Sequence, residues 1–437
     1  MKALLIALAV LSAPTDSLPD LSHPWNLTEC IAWALENNLS VASSELTRQG
    51  REIEENSARM AWLPGVSASA SENFSFGRGL GGNNTYESGN SSSTGFSLGA
   101  NMTLFDGLAT PRRIELAKLN LEAATADLEK ARDDISVQVA QAYVQILYNY
   151  EIRDVAARQV GIDSLQVVRL EGLFESGRAS AAEVSQQKAT LSQSRVTLVQ
   201  ADNNIRSSLL DLAQLLELPS WESFSVVRPT LSLQEQLLPH PDEIYAQAIA
   251  VRPAVKAEEL RLEGAQKQIQ IAKASYYPSL SLSGGVGTNY YTTFGTQSFL
   301  DQLSNNFSQY LGLSLSIPLF DRFSTRNQVR SARLQYSSQE LQLRRVKQSL
   351  YKEIQQAWNA AVAAKAKFEA SKDAAAAAED AFVLTQAKYE NGKATLTEFN
   401  EVLARLVKAQ SDSVQATYEY LYQTALVTFY RGGQLSF

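Results

Sequence analysis

The side chains that most often do chemistry are few and widely spaced in this sequence. Its two histidines, His23 and His240, lie far apart, so no histidine metal cluster and no nucleophile and base pair is available within the chain. A carboxylate mechanism is the remaining route to catalysis, but the Asp and Glu residues are scattered through helical stretches and are typical of solvated faces. We therefore expect no enzyme activity, no metal site and no cofactor.

Two further kinds of site are poorly supported. The glycine-rich stretch at 77–82 lacks the lysine and the following helix of a phosphate-binding loop. A net charge of -7 with scattered signs leaves no basic stripe, so nucleic-acid binding is not expected. The single cysteine, Cys30, cannot form an intrachain disulfide and is expected to be a small core residue.

The sequence is internally duplicated. Residues 104–106 (Leu-Phe-Asp) recur as 319–321, and 174–177 resembles 389–392, both at an offset of 215 residues (319 minus 104). Upstream, 58–64 resembles 272–278 at an offset of 214 (272 minus 58). The second copy has therefore gained one residue between these two matched segments, which indicates a loop there. So long a period predicts two halves of one architecture.

In each half the hydrophobic pattern changes to a period of two, within 65–105 and again within 279–320, which predicts a hairpin of two strands. Each strand has about ten alternating residues, the length that crosses a bilayer at a tilt. A soluble sandwich is the alternative, but the polar sides carry Ser, Gly, Asn and Thr with almost no Lys or Glu. Four strands cannot close into a barrel and lipid permits no open edge, so we expect three copies to form a barrel of about twelve strands.

Long helices are predicted after each strand hairpin. Apolar residues seven apart (Leu121, Leu128, Ile135) predict one coiled-coil-like helix over 111–174, about 95 Å long at 1.5 Å per residue. A shorter helix is predicted before the first strand, over 26–60, with Thr28 as its N-cap. The remaining predicted helices are the return helix at 181–218 and, in the second half, a helix before the strand hairpin and two long helices at 325–390 and 396–429.

The start of the chain favours export. Met1 and Lys2 precede an apolar run at 3–11 and small residues, which is typical of a secretory signal peptide, although a buried first helix is the alternative. A proline-containing linker between the halves is expected to lie beside the helices as a belt. The predicted divisions are a signal peptide at 1–17, a first repeat at 18–218 with its helical hairpin at 110–218, the linker at 219–241, and a second repeat at 242–437 with its helical hairpin at 324–431.

Together these features resemble the TolC-like outer membrane efflux family. The residues that carry the resemblance are the anchors after the strands (104–107 and 319–321) and the turns at 176–180 and 391–395, in duplicated order. The resemblance implies a mainly α fold with membrane β structure: a homotrimer whose twelve-stranded β-barrel crosses the outer membrane and continues as an α-helical coiled-coil barrel in the periplasm. It also implies contact with outer-membrane lipid and two partners, a periplasmic adaptor (membrane fusion) protein and an inner-membrane transporter.

The resemblance places adaptor docking at the two turns between the long helices. Glycine permits a tight left-handed turn and the close approach of another backbone. Simple reversal of the chain would also use both glycines. The residues carried over are Gly177, Arg178, Ala179 and Ser180 in the first turn, and Gly392, Lys393, Ala394 and Thr395 in the second.

The resemblance also implies acidic rings just inside a closed channel entrance, at Glu183, Glu398 and Glu401. Glu398 and Glu401 lie one helical turn apart, and three copies of each around a narrow axis would attract cations and hinder anions. The alternative is acidic residues favoured by the helix dipole, and for Glu183 both explanations stay open. Tyr389 matches a family position that helps to hold the closed tip together, but the basic counterpart is displaced: position 394 is Ala, and Lys393 is adjacent.

The leading hypothesis is a passive exit channel of a tripartite efflux or type I secretion system, opened by an adaptor that spreads the helical tips. The rival is a periplasmic coiled-coil scaffold whose strands form a soluble sandwich without a channel. Drug, metal-ion and polypeptide cargo all stay open, because a duct lined with Ser, Asn and Gln identifies no substrate.

Overall fold

The computed structural model of the protein describes residues 23–80, 85–229, 238–292 and 298–435. Over these ranges the chain is mainly helical and has a four-stranded antiparallel sheet, which confirms the predicted fold class at that level. The predicted signal peptide at 1–17 lies outside the described residues. None of the helices in these ranges combines the length and the apolarity that crossing a bilayer requires.

Each repeat contains two shorter helices, two strands and a long helical hairpin, in that order. The elements of the first repeat are α1 (Leu27–Asn37), α2 (Leu39–Met60), β1 (Gly65–Leu80), β2 (Tyr86–Asp106), α3 (Ala109–Glu175) and α4 (Ala181–Leu215). Those of the second are α5 (Pro241–Val251), α6 (Pro253–Ala274), β3 (Ser279–Tyr291), α7 (Phe299–Asn305), β4 (Ser308–Ser316), α8 (Ser324–Glu390) and α9 (Leu396–Tyr430). The short α7 was not predicted, because its seven residues interrupt a loop.

The chain forms two compact units. One, here called the sheet unit, consists of Ser44–Leu128 and Pro253–Lys347 and contains all four strands. The other, the helical unit, includes Glu129–Arg252 and Gln348–Phe437, together with the N-terminal residues as far as Ser43. Both turns that join the long helices belong to the helical unit.

The sheet has the order β1-β2-β3-β4, so the hairpins of the two repeats pair with each other through β2 and β3. Leu98 of β2 lies opposite both Ala68 of β1 and Val286 of β3, which places the apolar residues of successive strands on one face. The other face is polar: the hydroxyls of Ser69 and Ser97 are 2.7 Å apart. Large side chains on the apolar face are exposed in the single chain, among them Val66, Phe74, Phe76, Phe96, Leu98, Leu311, Leu313 and Leu315.

The duplicated Leu-Phe-Asp anchors start the long helices. Asp106 Oδ2 accepts a hydrogen bond of 2.9 Å from the backbone N–H of Thr110, and Asp321 Oδ2 accepts one of 2.7 Å from that of Thr325. These carboxylates therefore cap otherwise unpaired donors in the first turns of α3 and α8. Gly107 follows Asp106 with a φ of 68°, and a Cβ there would lie 2.5 Å from the carbonyl oxygen of Ala274, so only glycine fits.

The predicted helix at 26–60 is wrong in two respects. It is two helices, because Asn38 has an extended backbone and its side-chain amide donates to the carbonyl of Leu215, 2.9 Å away, at the end of α4. The N-cap is Asn26 rather than Thr28: its Oδ1 accepts from the N–H of Glu29 at 2.9 Å, and Glu29 returns the bond to the N–H of Asn26 at 2.8 Å.

In the helical unit, the first part of the linker pairs with the start of the described chain. Trp25 and Val226 form a parallel bridge, and the Tyr143 hydroxyl of α3 donates to the carbonyl of Val227 at 2.8 Å. Burial raises the pKa of Tyr143. The last part of the linker meets α8, where the Trp358 indole N–H donates to the carbonyl of Pro239 at 3.0 Å.

Candidate functional site

The two turns that join the long helices, residues 176–180 and 391–395, are here called the tip turns. In the first, Gly177 has a φ of 73°; the N–H of Arg178 donates to the carbonyl of Leu173 at 2.7 Å, and that of Gly177 to the carbonyl of Phe174 at 2.9 Å. This is the Schellman arrangement, in which a left-handed residue lets the chain satisfy the last carbonyls of a helix.

The second tip turn repeats this backbone. Gly392 has a φ of 69°, the N–H of Lys393 donates to the carbonyl of Lys388 at 2.8 Å, and the N–H of Gly392 donates to the carbonyl of Tyr389 at 3.0 Å. The polar and charged residues carried over as docking residues (Arg178, Ser180, Lys393 and Thr395) and both glycines are exposed, whereas Ala179 and Ala394 are half-buried.

The N-caps after the two turns differ. Ser180 and Glu183 form a reciprocal capping box: the N–H of Glu183 donates to Ser180 Oγ at 3.2 Å, and the N–H of Ser180 donates to Glu183 Oε2 at 2.8 Å. The backbone N–H and the hydroxyl of Ser180 both donate to the Glu183 carboxylate, and these two bonds lower the pKa of Glu183 because they favour its charged form. Thr395 accepts from the N–H of Glu398 at 3.2 Å, and there the capping is one-way in the described structure.

The carboxylates of the three acidic residues expected at the entrance therefore differ in their partners. The carboxylate of Glu183 is turned back onto Ser180. Glu401 forms an ion pair with Arg405 of its own helix, with 2.8 Å between Oε1 and the guanidinium. Glu398 is exposed, and within the described part of the chain no cationic side chain pairs with it. Of the three, Glu398 presents the least compensated charge.

An aromatic cluster supports the second tip turn. Phe399 is completely buried and packs with Phe382, Leu403 and Leu406. The ring of Tyr389 stacks on that of Phe399 with 5.0 Å between centroids and 28° between planes. Burial is the main cause that raises the pKa of Tyr389. This cluster fixes the end of α8 against the start of α9.

A basic side chain reaches Tyr389 from the first repeat. The guanidinium carbon of Arg169, on α3, lies 5.0 Å from the centre of the Tyr389 ring, and its Nη2 donates to the carbonyl of Glu390 at 3.2 Å. The two tip turns are therefore neighbours. From the sequence, the basic partner of Tyr389 is expected near position 394, and Arg169 is missed. Arg169 lies about 220 positions before Tyr389 and Glu390, so no local pattern connects them.

A buried polar network lies beside the aromatic cluster and was also missed. Asp163 and Gln187 are both completely buried. The Asp163 carboxylate accepts from the side-chain amides of Gln159 at 3.0 Å and of Gln187 at 3.4 Å. Asn400 of α9 donates to Gln187 Oε1 at 3.1 Å, so the network joins α3, α4 and α9. The buried amide oxygens of Gln159 and Asn400 accept no hydrogen bond from described residues.

These features define a duplicated helical-hairpin protein with a membrane-type sheet, which is the architecture of outer-membrane channel components. The chain belongs to the family described as outer membrane efflux protein, which it matches over residues 31–217 and 244–432. Members of this family are channels of the outer membrane for efflux and secretion. Among the described residues, no three His, Cys, Asp or Glu side chains come together as a metal site.

Named relatives are distant but cover much of the chain. Outer membrane protein TolC of Salmonella enteritidis is 23% identical over 432 residues, 96% of this chain and 84% of TolC. Protein CyaE of Bordetella pertussis is 26% identical over 422 residues, 94% and 82% of the two chains. Fusaric acid resistance protein FusA of Burkholderia cepacia is 28% identical over 287 residues, 63% of this chain, and the match spans about half of FusA (52%).

Solved structures show the same fold. The outer membrane protein VceC of Vibrio cholerae superposes with a TM-score of 0.78 at 22% identity, covering 94% of this chain and 97% of VceC. The CmeC outer membrane channel of Campylobacter jejuni superposes with a TM-score of 0.81 at 17% identity, covering 94% of this chain and 86% of CmeC. At these identities the similarity shows the fold alone.

Proposed function

We propose that three copies of this chain form a passive exit channel in the outer membrane. Each copy contributes its four strands to a twelve-stranded barrel, and the long helices continue the channel into the periplasm. The single observation that carries this proposal is the exposed apolar face of the sheet, because four strands with such a face need lipid around them and neighbouring strands at both edges.

A second surface supports self-association. Leu39, Leu46, Ile53 and Met60 recur every seven residues along α2, and each is more than half exposed in the single chain. Apolar residues at this spacing form a seam that packs against another helix. In the proposed trimer this seam faces a neighbouring copy.

The rival scaffold function is not favoured. A soluble sandwich requires two packed sheets that bury their apolar faces against each other. In the described ranges the four strands form one sheet, and its apolar face is exposed.

We also propose the division into repeats at 18–218 and 242–437 with a linker at 219–241; the two family matches, 31–217 and 244–432, support it.

The tip turns are the proposed docking surface for a periplasmic adaptor, which would connect the channel to an inner-membrane transporter. Exposed polar and charged side chains surround glycines that leave the backbone accessible. The contact of Arg169 with Tyr389 and Glu390 would hold neighbouring hairpins together until an adaptor separates them. The mechanism needs no energy conversion in this chain.

At the entrance we propose that Glu398 is the main selectivity residue, with Glu401 and Glu183 secondary. In planar bilayers, Glu398→Gln should lower the permeability ratio of cations to anions. Glu401→Gln is the matched control and should change the ratio less, because Arg405 already offsets its charge. Unchanged selectivity in Glu398→Gln would reject the acidic ring. Recovery of the protein as a soluble monomer, instead of heat-modifiable trimers in outer-membrane fractions, would reject the channel itself.

A further inference from the structure

A basic cavity of about 500 Å³ lies in the sheet unit, where the strands give way to helices. Its walls come from the end of α6 and from the first three turns of α8. The lining residues are Lys273, Tyr276, Tyr277, Arg326, Val329, Arg330 and Arg333. Four cationic side chains and two phenols thus surround one space.

None of these four cations forms an ion pair with a carboxylate of the described residues. The Arg326 guanidinium carbon lies 5.9 Å from the centre of the Phe323 ring. The start of α3, the equivalent helix of the first repeat, differs. There Arg112 pairs with Glu115 at 2.8 Å, Arg113 with Asp106 at 3.4 Å, and Lys267 of α6 with Glu115 at 3.0 Å. The cations at the start of α3 are thus paired with carboxylates, whereas those at the start of α8 are not.

The unpaired charges are unfavourable for the helix that carries them. The N-terminus of a helix has a partial positive charge, which repels cationic side chains in the first turn. Arg326 lies in the first turn of α8, and Arg330 and Arg333 follow on the next two turns. An anion in the cavity would relieve this repulsion at Arg326 and the mutual repulsion of the three guanidinium groups.

We propose that this cavity binds the phosphate of an anionic phospholipid headgroup. Guanidinium groups match phosphate oxygens in a bidentate geometry, and a cavity of this size can hold a headgroup. The location rests on the proposed function: if the strands cross the membrane, the cavity lies at the level of the leaflet surface, where tyrosines are also enriched. Tyr276 and Tyr277 immediately precede Pro278 and β3.

The test compares lipid retention by the full-length protein in native mass spectrometry. Wild type should retain phosphatidylglycerol in preference to phosphatidylethanolamine. Arg326→Gln, Arg330→Gln and Arg333→Gln combined should weaken phosphatidylglycerol retention about 100-fold, since each cation near a lipid surface contributes about 1 kcal/mol. Arg112→Gln, Arg113→Gln and Lys267→Gln combined remove the same charge from the paired region and should leave retention unchanged.

Three results would overturn the proposal. The first is equal retention of both lipids by wild type, and the second is binding of inorganic phosphate without retention of phosphatidylglycerol. The third is dissociation of the trimers in the arginine triple variant whichever lipid is supplied. That result would show that the arginines pair with a neighbouring copy. Planar-bilayer conductance of the same preparations distinguishes failure of the lipid site from failure of the proposed channel function. Conducting channels without lipid preference reject only this inference, whereas wild type that does not insert rejects the proposed function.

Discussion

The two helical hairpins have the same turn backbone, but the side chains packed behind the turn are polar in the first hairpin and apolar in the second. Both tip turns have a left-handed glycine and the same pair of closing hydrogen bonds. About two to three helical turns away from the tip, Asp163 and Gln187 form a buried polar pair in the first hairpin. The matching positions of the second hairpin, 215 residues later (378 minus 163), are Ala378 and Val402, which pack against the aromatic cluster.

This difference shows what duplication preserved and what it left free to change. The backbone turn depends on one glycine and survives in both copies. The supporting layer depends on which side chains face one another, so one copy carries an apolar layer and the other a hydrogen-bonded one. Burial of apolar groups tolerates small shifts, whereas a buried polar network depends on correct partners. We expect the two hairpins to respond differently to substitution.

The largest expected effect is at the centre of the aromatic cluster. Phe399→Ala should lower the free energy of local unfolding at the second tip by about 3–5 kcal/mol, because it empties a completely buried site. The matched change, Val184→Ala, removes two methyl groups from the same position of the first hairpin and should cost about 1–2 kcal/mol. Amide hydrogen exchange across 385–405 and 170–190 measures both. Equal losses of unfolding free energy in Phe399→Ala and Val184→Ala would show that the two hairpins are not supported differently.

The next effect concerns the polar layer. Asp163→Ala should cost about 2–3 kcal/mol, because the amides of Gln159 and Gln187 would remain buried without their acceptor. Asp163→Asn keeps the shape and one acceptor oxygen and should cost less. Thermal unfolding followed by helical circular dichroism compares the two variants. If Asp163→Asn were as damaging as Asp163→Ala, the charge, and not the hydrogen bonds, would hold the layer.

The contrast between the layers also marks how far the sequence alone could predict the molecule. The strands, the long helices and both reversals are predictable, because period, duplication and glycine are local signals. The Asp163 network is not, since its burial depends on Asn400 of a helix more than 200 residues away. The break at Asn38 carries no proline or glycine signal, whereas the equivalent break at Arg252 precedes Pro253, which disfavours a helical residue before it.

A smaller and symmetrical effect is expected at the two glycines. Gly177→Ala and Gly392→Ala should each cost about 1–2 kcal/mol, because alanine is strained at positive φ. A Cβ would meet no atom within 4 Å at either position, so the cost is conformational and should be the same in both turns. Thermal unfolding of the two variants measures it. A difference well above 1 kcal/mol would mean that the supporting layers also determine the turns, and that the backbone is not an independent unit.

The smallest effect is the pH dependence of the first N-cap, where Glu183 closes a reciprocal capping box that the second N-cap lacks in the described structure. Hydrogen bonds from Ser180 lower the pKa of Glu183 below its ordinary 4.5, so the folded state favours the carboxylate. A lowered pKa in the folded state stabilises the cap above the unfolded pKa, and this contribution is lost as the pH falls through the folded value. At pH 7, amides at 180–184 should therefore exchange more slowly in wild type than in Glu183→Gln, and the difference should vanish in acid. Comparing the two proteins at one pH cancels the intrinsic exchange rate. Ser180→Ala removes the hydroxyl bond to the Glu183 carboxylate and keeps the backbone N–H bond, so the pH-dependent difference between Ser180→Ala and Ser180→Ala with Glu183→Gln should be smaller than the difference in the Ser180 background. An equal difference would show that the hydroxyl does not contribute to the lowered pKa.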